Sequence, residues 1–229
     1  MSTLANTKHQ ILKHHGGDGD HAREMITSSY ARRHDDDFWQ FWEKKVAINH
    51  KLGDSIVDLG AGIGQFINDC AKRYPDSNVY GLDAADYMVG HAMALPSNAQ
   101  IIQDDLHNPT AKIKNDSVSM IMVNMVVHEL TQPIKMFKAA HKWLKTGGRF
   151  CVIDLVRQPL EEYLEYKYKE TSVGADETTI SDLENAFEHF LEHNRYHAED
   201  IVYMLKQCGF KIIGKPEKTG RFVQIVAEK

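Results

Sequence analysis

From Ser55 onward the sequence alternates short apolar runs with amphipathic segments of helical spacing. Strands that alternate with helices predict right-handed βαβ units, and hence an α/β fold with a doubly wound, mostly parallel sheet. Two further runs close the chain around the turn residues Lys218, Thr219 and Gly220, which predicts a hairpin with an antiparallel last strand. The seven runs that predict a seven-stranded sheet are "SIVDLG", "NVYGLDA", "AQIIQDD", "SVSMIMVNM", "RFCVIDLV", "GFKIIGKP" and "RFVQIVAEK".

Three segments depart from this alternation. Residues 157–195 are charged, Tyr-rich and helical in pattern, and they predict a helical insert or lid after the fifth strand, divided at Gly174. Residues 23–50 carry aromatic and apolar residues at helical spacing, broken near the acidic run 35–37, and they predict a helical cover. Residues 1–22 show little periodicity, so a flexible lead-in is expected there.

Length and charge limit the function classes. The chain has 229 residues, which suits a single domain, here expected over residues 23–229. Its formal net charge of -5 disfavours the recognition of long nucleic acids, which usually requires a basic stripe. Three cysteines without a pairing pattern indicate a reduced, cytoplasmic protein. No apolar run is long enough to predict a membrane span.

The stretch "VDLGAGIGQF", residues 57–66, places three glycines between the first strand and a helix. In an open parallel sheet such a turn borders the ligand crevice, so the candidates are a nucleoside triphosphate, a nicotinamide dinucleotide and S-adenosylmethionine. A P-loop is excluded because no Gly-Lys-Ser/Thr follows. The dinucleotide pattern requires glycine where this chain has Gln65, and Asp58 would repel a pyrophosphate. A carboxylate at that position suits a ligand with an ammonium group.

"DLGAGIG" resembles the Asp/Glu-x-Gly-x-Gly-x-Gly first motif of class I S-adenosylmethionine-dependent methyltransferases, and the similarity extends over residues 54–156. It continues in "VYGLDAADYMV", "IIQDDLHN", "VNMVVHEL" and "WLKTGGRFCVIDLV". The resemblance implies a methyltransferase with S-adenosylmethionine as cofactor. Asp83 is expected to accept both ribose hydroxyls, and Asp105, or alternatively Asp104, the adenine amine. The implied cofactor-binding residues are Asp58, Gly60, Ala61, Gly62, Gly64, Asp83, Ala84, Asp104, Asp105, Leu106, Asn124 and Met125.

His128, just past the fourth strand, is the candidate catalytic base because an imidazole titrates near neutral pH. The alternative is a histidine that hydrogen-bonds locally or lines the pocket. The neighbouring Glu129 is interpreted as a helix-start or solvated residue.

The resemblance also implies an N-terminal helix over the cofactor, with an aromatic ring near the methyl group and an arginine on the methionine carboxylate. Tyr30, with Trp39, is the candidate for the ring, and Arg32 or Arg33 for the arginine. The alternative is an amphipathic helix that buries its aromatic residues.

Two further clusters carry weaker predictions. In "HHGGDGDH" the side chains of metal-binding type are His14, His15, Asp18, Asp20 and His21, but the glycines favour a surface segment, and no metal is expected. Aromatic and histidine residues recur at helical spacing in the insert and predict lid packing or an interface, with one or two of them facing substrate. They are Tyr163, Tyr166, Tyr168, Phe187, His189, Phe190 and His193.

The expected reaction is therefore methyl transfer to an oxygen or nitrogen of a small-molecule acceptor. Nucleic-acid amines are disfavoured because the fourth strand ends in "NMVV" and not in an Asn/Asp-Pro-Pro-aromatic motif. A non-catalytic S-adenosylmethionine-binding sensor or scaffold and, less favoured, an NAD(P)-dependent oxidoreductase are the alternatives. A homodimer could form through the insert or the N-terminal helix.

Overall fold

The computed structural model of the protein describes residues 4–14, 17–169 and 180–229. At its centre lies one seven-stranded sheet with the strand order β3-β2-β1-β4-β5-β7-β6. The strands are β1 (Ser55–Leu59), β2 (Val79–Asp83), β3 (Ala99–Gln103), β4 (Val118–Asn124), β5 (Leu144–Leu155), β6 (Lys211–Thr219) and β7 (Phe222–Glu228).

The sheet confirms the expected doubly wound α/β fold. Strands β1 to β5 pair in parallel, while β7 is antiparallel to both β5 and β6. One strand boundary differs from the sequence prediction, which began the fifth strand at Arg149, several residues after the preceding helix. The helix ends at Trp143 and β5 begins at Leu144, because Leu144 pairs with Val118 of β4.

Helices cover both faces of the sheet. The helix after β2 is a single turn that begins at Asp86 and ends at Val89. The helices are α1 (Leu4–His14), α2 (Gly19–Arg33), α3 (Asp36–Phe41), α4 (Gln65–Arg73), α5 (Asp86–Val89), α6 (Ile134–Trp143), α7 (Leu160–Lys169), α8 (Ile180–His193) and α9 (Ala198–Gln207).

The N-terminal region contains more helix than its sequence pattern indicates. Helix α1 lies where an irregular lead-in is expected, and α2 begins at Gly19, four residues before the expected start. The Asp18 side chain caps α2 by accepting hydrogen bonds from the backbone N–H groups of Asp20 and His21. A break lies near the acidic run, since Asp35 caps α3 through the backbone N–H of Phe38.

Two apolar cores lie on the two faces of the sheet. Ile56 and Val57 are adjacent in β1 and point to opposite faces, so they belong to different cores. The Val57 core includes α6 and α9, and the Ile56 core includes α3 and α4. Both faces of β1 are fully buried, which explains why its sequence is a continuous apolar run.

The region between β5 and α9 contains α7 and α8 on either side of residues 170–179; the predicted division at Gly174 lies outside the described residues, as do the side chains of Tyr168 and His193. Tyr163 of α7 is stacked with His189 of α8 and hydrogen-bonded to it. Among the helices that the structure describes, none is long and apolar enough to cross a membrane.

Candidate active site at the carboxyl edge of the sheet

A cavity of about 500 Å³ opens where the parallel strands end. Strands β2, β1 and β4 supply one part of its lining, α2 supplies another, and the turn between β6 and β7 supplies a third. Residues distant in sequence meet there because all parallel strands point their carboxyl ends to the same edge of a sheet. The site residues expected from sequence that line this cavity are Tyr30, Arg32, Arg33, Asp58, Gly60, Ala61, Gly62, Asp83, Ala84, Leu106, Asn124, Met125 and His128.

Three of the expected cofactor-binding residues are not part of the lining: Gly64, Asp104 and Asp105. Gly64 is the last residue of the glycine loop, directly before α4, and its φ is 95°. The Asp104 carboxylate is engaged in holding its own loop, since it accepts hydrogen bonds from the backbone N–H groups of Thr110 and Ala111 at 2.8 Å. Asp105 accepts from the backbone N–H of His107, and the cavity wall there is formed by Leu106 and His107.

Gly60 gives the glycine loop its shape. Its φ is 89°, and a Cβ atom built on it would lie 2.1 Å from Cγ2 of Val126. Only glycine combines that left-handed backbone with so close an approach. The N–H groups of Gly60 and Ala61 both donate to the carbonyl of Leu82, which fixes the loop to the end of β2.

Asp83 joins the loop to the second strand. Its carboxylate accepts hydrogen bonds from the backbone N–H groups of Gly62 and Ala85, both at 2.8 Å. Burial raises the pKa of Asp83, while the backbone donors act in the opposite direction. The carboxylate is thereby held in one orientation at the cavity wall.

Asp58 and Arg33 are an acidic and a basic side chain that both lie on the lining. Burial, and after it the negative charge of Asp83, raises the pKa of Asp58 to about 8, although Arg33 acts to lower it. Arg33 is half-buried, and its Nε atom has no hydrogen-bond partner among the described residues. Asn124 at the end of β4 likewise has a buried side-chain oxygen without a partner in the described part of the chain. Buried polar atoms are rarely left unpaired, so these two indicate ligand contacts. Arg32 also lines the cavity but is exposed.

His128 lies in a buried ion cluster. Its Nδ1 is 2.5 Å from Oδ1 of Asp154, and its Nε2 is 3.2 Å from Oε1 of Glu129. Burial alone would lower the pKa of His128, but the two carboxylates outweigh burial and raise it to about 10. The ring is therefore an imidazolium at neutral pH, and Glu129 is its half-buried ion partner, in contrast to the helix-start or solvated residue expected from sequence.

Asp154, in β5, organises this end of the cavity. It is fully buried, and its carboxylate accepts hydrogen bonds from the backbone N–H groups of Val126 and Val127 as well as from His128. Just before this loop Met125 has a φ of 60°, an uncommon conformation for a residue with a side chain. Asp154 thus holds the segment after β4 in a shape that turns Met125 towards the cavity.

His34, at the end of α2, is another histidine on the lining. Its Nδ1 lies 3.1 Å from the carbonyl oxygen of Tyr30, which can only accept, so Nδ1 carries the proton and Nε2 carries the lone pair. Burial lowers the pKa of His34 to about 4, which keeps the ring neutral. Nε2 lies 3.5 Å from the side-chain nitrogen of Asn124.

The two aromatic residues expected near the methyl group have different surroundings. The ring of Tyr30 lines the cavity and stacks on His34 with centroids 4.2 Å apart, while its hydroxyl donates to Asp69 at 2.7 Å. Trp39 does not reach the cavity. It is buried in the core against Phe66, with Arg73 over its outer face.

Three residues of the site were absent from the sequence-based set: His34, Asp154 and Arg221. Asp154 could have been predicted from the sequence, because an acidic residue inside the apolar run "RFCVIDLV" must find buried partners. His34 and Arg221 lie in a break between helices and in a turn, where no pattern marks them. Of the "HHGGDGDH" segment, Asp18 is a helix cap, and the His14 side chain and His15 lie outside the described residues.

A family model described as "Methyltransferase domain" matches residues 30–215 of the chain. The chain belongs to this methyltransferase family. It is a class I member, and S-adenosylmethionine is its cofactor. The resemblance to class I methyltransferases that begins at the glycine loop is thereby confirmed.

The chain is similar in sequence to a plant methyltransferase. Phosphoethanolamine N-methyltransferase 1 of Arabidopsis thaliana is 23% identical over 192 residues, which are 82% of this chain and 34% of the relative. The chain thus spans about a third of the length of that plant relative.

Among solved structures, phosphoethanolamine N-methyltransferase 2 of Haemonchus contortus in complex with S-adenosyl-L-methionine has a TM-score of 0.63 at 15% identity, covering 96% of this chain and 46% of its own. A putative S-adenosyl-L-methionine-dependent methyltransferase from Methanococcus maripaludis has a TM-score of 0.58 at 19% identity, covering 93% of both chains. At these identities the structural likeness shows the shared fold.

Proposed function

We propose that this protein transfers the methyl group of S-adenosylmethionine to an oxygen or nitrogen nucleophile of a small-molecule acceptor. The observation that carries the proposal is the meeting of Asp58, Asp83, Arg33 and Asn124 in one cavity. Two of these side chains present buried polar atoms without partners among the described residues. When bound, the cofactor supplies a methyl group already activated by a positive sulfur.

Arg33 and Asp58 are assigned to the methionine end of the cofactor. A guanidinium with a free Nε suits a carboxylate, and a carboxyl group whose pKa is near 8 ionises when an ammonium group is placed beside it. Arg33 is preferred over Arg32 because Arg33 is half-buried and close enough to Asp58 to influence its pKa. The pyrophosphate of a dinucleotide would meet two acidic side chains here, which disfavours the oxidoreductase alternative.

Asp83 is assigned to the ribose hydroxyls. Its carboxylate is held by Gly62 and Ala85 at the end of β2, and backbone donors of this kind keep an acceptor pointed in one direction. Leu106 and Ala84 provide apolar surface on the same wall, which suits an adenine ring. Asp105 is retained as a candidate for the adenine amine only if its loop moves, because it lies outside the present lining.

His34 is assigned as the acceptor of the proton or hydrogen bond of the nucleophile. Its Nε2 carries a lone pair on the cavity lining, with only the long 3.5 Å contact to the Asn124 side-chain nitrogen, and its neutral ring does not need to lose a proton first. A base of low pKa is sufficient for a hydroxyl, because a hydroxyl oxygen becomes a very strong acid once it is methylated. For an amine, the same lone pair orients the N–H bond, and alignment supplies most of the rate.

His128 is assigned a positioning role in place of the catalytic base. Both of its ring nitrogens face carboxylate oxygens, so no lone pair remains to receive a proton. Its contribution is to hold the segment after β4 against Asp154. Helix α2 and the insert that includes α7 and α8 are proposed to cover the cavity during the reaction, which would exclude water from it.

The proposal is tested by two measurements on the same protein. Calorimetry with S-adenosylhomocysteine and with NAD(H) is expected to show binding of the former only. Incubation of labelled S-adenosylmethionine with cell extract is expected to place label in small-molecule products. Binding without transfer would support the sensor or scaffold alternative, and binding of the dinucleotide alone would overturn the proposal.

A further inference from the structure

Arg221 is a charged cavity residue to which the proposed function assigns no role. It lies in the turn between β6 and β7, and its side chain lines the cavity together with Phe222. Its guanidinium lies over the ring of Tyr166 in α7, with the central carbon 3.4 Å from the ring centroid. The stacking fixes the plane of the guanidinium, so its N–H groups are held in one direction.

The charge of Arg221 is not neutralised by the part of the chain that the structure describes. Its Nε atom is buried and has no hydrogen-bond partner among those residues, and none of their carboxylates forms an ion pair with it. Glu129, an acidic group elsewhere on the lining, is already paired with His128. A half-buried guanidinium whose Nε is buried and unpaired is costly to leave without an anion, so the site is completed when an anion enters.

The position of Arg221 separates it from the cofactor end of the cavity. Phe222 pairs with Leu155, so this turn continues the carboxyl edge of the parallel strands. From β2, which carries Asp83, to β7 there are four strand spacings in the order β2-β1-β4-β5-β7, which at about 4.8 Å each amount to about 19 Å. The loop after β4, with Asn124 and Met125, lies between these two ends. Arg221 is therefore on the acceptor side.

We infer that the methyl acceptor carries an anionic group, a carboxylate or a phosphate, that binds Arg221 while a different atom of the acceptor receives the methyl group. This inference rests on the proposed function for the identity of the ligand. The planar fork of a guanidinium suits both anions, since each offers two oxygens at matching spacing. The anion places the acceptor along the edge of the sheet, with its nucleophile near the loop after β4.

The binding test uses inorganic phosphate as the probe, titrated into protein saturated with S-adenosylhomocysteine and followed by calorimetry. We expect binding at millimolar concentrations that weakens by about tenfold or more in Arg221→Gln. The matched control is Arg73→Gln, because Arg73 stacks on Trp39 at 3.9 Å but is not part of the cavity lining. Affinity for S-adenosylhomocysteine is expected to be unchanged in both variants.

The transfer test separates this inference from the proposed function. Products labelled from S-adenosylmethionine in cell extract are separated and identified by mass spectrometry, and a carboxylate or phosphate group is expected in the labelled molecules. Label found only in products without such a group, phosphate binding that is equal in Arg221→Gln and wild type, or no phosphate binding to wild type would each overturn the inference. Arg221-dependent phosphate binding without any transfer would leave the anion site standing and contradict the proposed function.

Discussion

His34 and His128 line the same cavity, yet their environments set them in opposite protonation states. His34 is surrounded by aromatic rings and a backbone carbonyl, and burial lowers its pKa to about 4. His128 lies between two carboxylates, and its pKa is raised to about 10. At neutral pH one ring offers a lone pair and the other offers none.

The difference teaches that a motif can locate a functional region without fixing the protonation states of the residues within it. The segment "VVHEL" directs attention to His128, whose neighbours turn it into a fixed cation. The imidazole that offers a lone pair at neutral pH is that of His34, which lies outside every motif. Environments that push two titratable groups apart in pKa are the usual means by which proteins assign acid and base roles.

The largest expected effect comes from removing the anion that defines the His128 environment. Asp154→Asn leaves the buried imidazolium with one carboxylate fewer, and breaking such a pair costs about 3–5 kcal/mol of unfolding free energy. Urea denaturation measures this loss. The control Asp116→Asn removes an exposed carboxylate paired with Lys229 and is expected to cost about 1 kcal/mol or less. Equal losses in the two variants would contradict the account of the buried cluster.

The same cluster predicts a pH dependence of stability. The folded pKa of His128, about 10, lies above the unfolded value of about 6.5. Its stabilisation is therefore complete below about pH 6.5 and is lost as the pH rises towards 10. Wild-type unfolding free energy should fall over this window, and the fall should be smaller in Asp154→Asn; identical slopes would contradict the raised pKa.

His34→Phe tests the other member of the comparison. Phenylalanine keeps the stacking against Tyr30 and Phe38 but removes the Nε2 lone pair, so turnover should fall by about a hundredfold, at the lower end of general-base effects. Affinity for S-adenosylhomocysteine should change little. His141→Phe is the control, because His141 also packs on an aromatic ring, that of Phe210, but does not line the cavity. Turnover in His34→Phe equal to that of this control would remove His34 from the mechanism.

Asp58 is expected to make the affinity for S-adenosylhomocysteine depend on pH, which is a smaller effect. With a pKa of about 8 in the free protein, the carboxyl group must lose its proton when an ammonium group binds beside it. Affinity for S-adenosylhomocysteine should therefore rise about fivefold between pH 7 and pH 8, with proton release that calorimetry in two buffers detects. Asp58→Asn should abolish the proton release. An affinity independent of pH in wild type would separate Asp58 from the ammonium group.

Tyr30→Phe is expected to have the smallest effect. The hydroxyl of Tyr30 is engaged with Asp69, so its loss should cost about 1 kcal/mol of unfolding free energy and leave turnover unchanged. Thermal denaturation and the rate of methyl transfer are the two measurements. A large fall in turnover without a change in stability would instead give the hydroxyl a catalytic role.

The sequence predicted the sheet well because its information is local. Each buried strand is a short apolar run, and the glycine loop requires glycine at Gly60 for steric reasons that a motif records. Residues that lie outside any local sequence pattern could not be placed in this way. The pairing of His128 with Asp154 joins positions 26 residues apart, and Arg221 reaches the cavity only because β7 returns antiparallel beside β5. Helix α1 was not predicted because its polar pattern resembles that of a loop.

The central claim is that this cavity carries methyl transfer to a small molecule. The most direct measurement incubates the protein with S-adenosylmethionine labelled on the methyl group and fractionated cell extract, and follows label into the small-molecule, protein and nucleic-acid fractions. The account predicts label in the small-molecule fraction, with the rate reduced about a hundredfold in His34→Phe. Label confined to protein or nucleic acid, or tight binding of S-adenosylhomocysteine without any transfer, would contradict it.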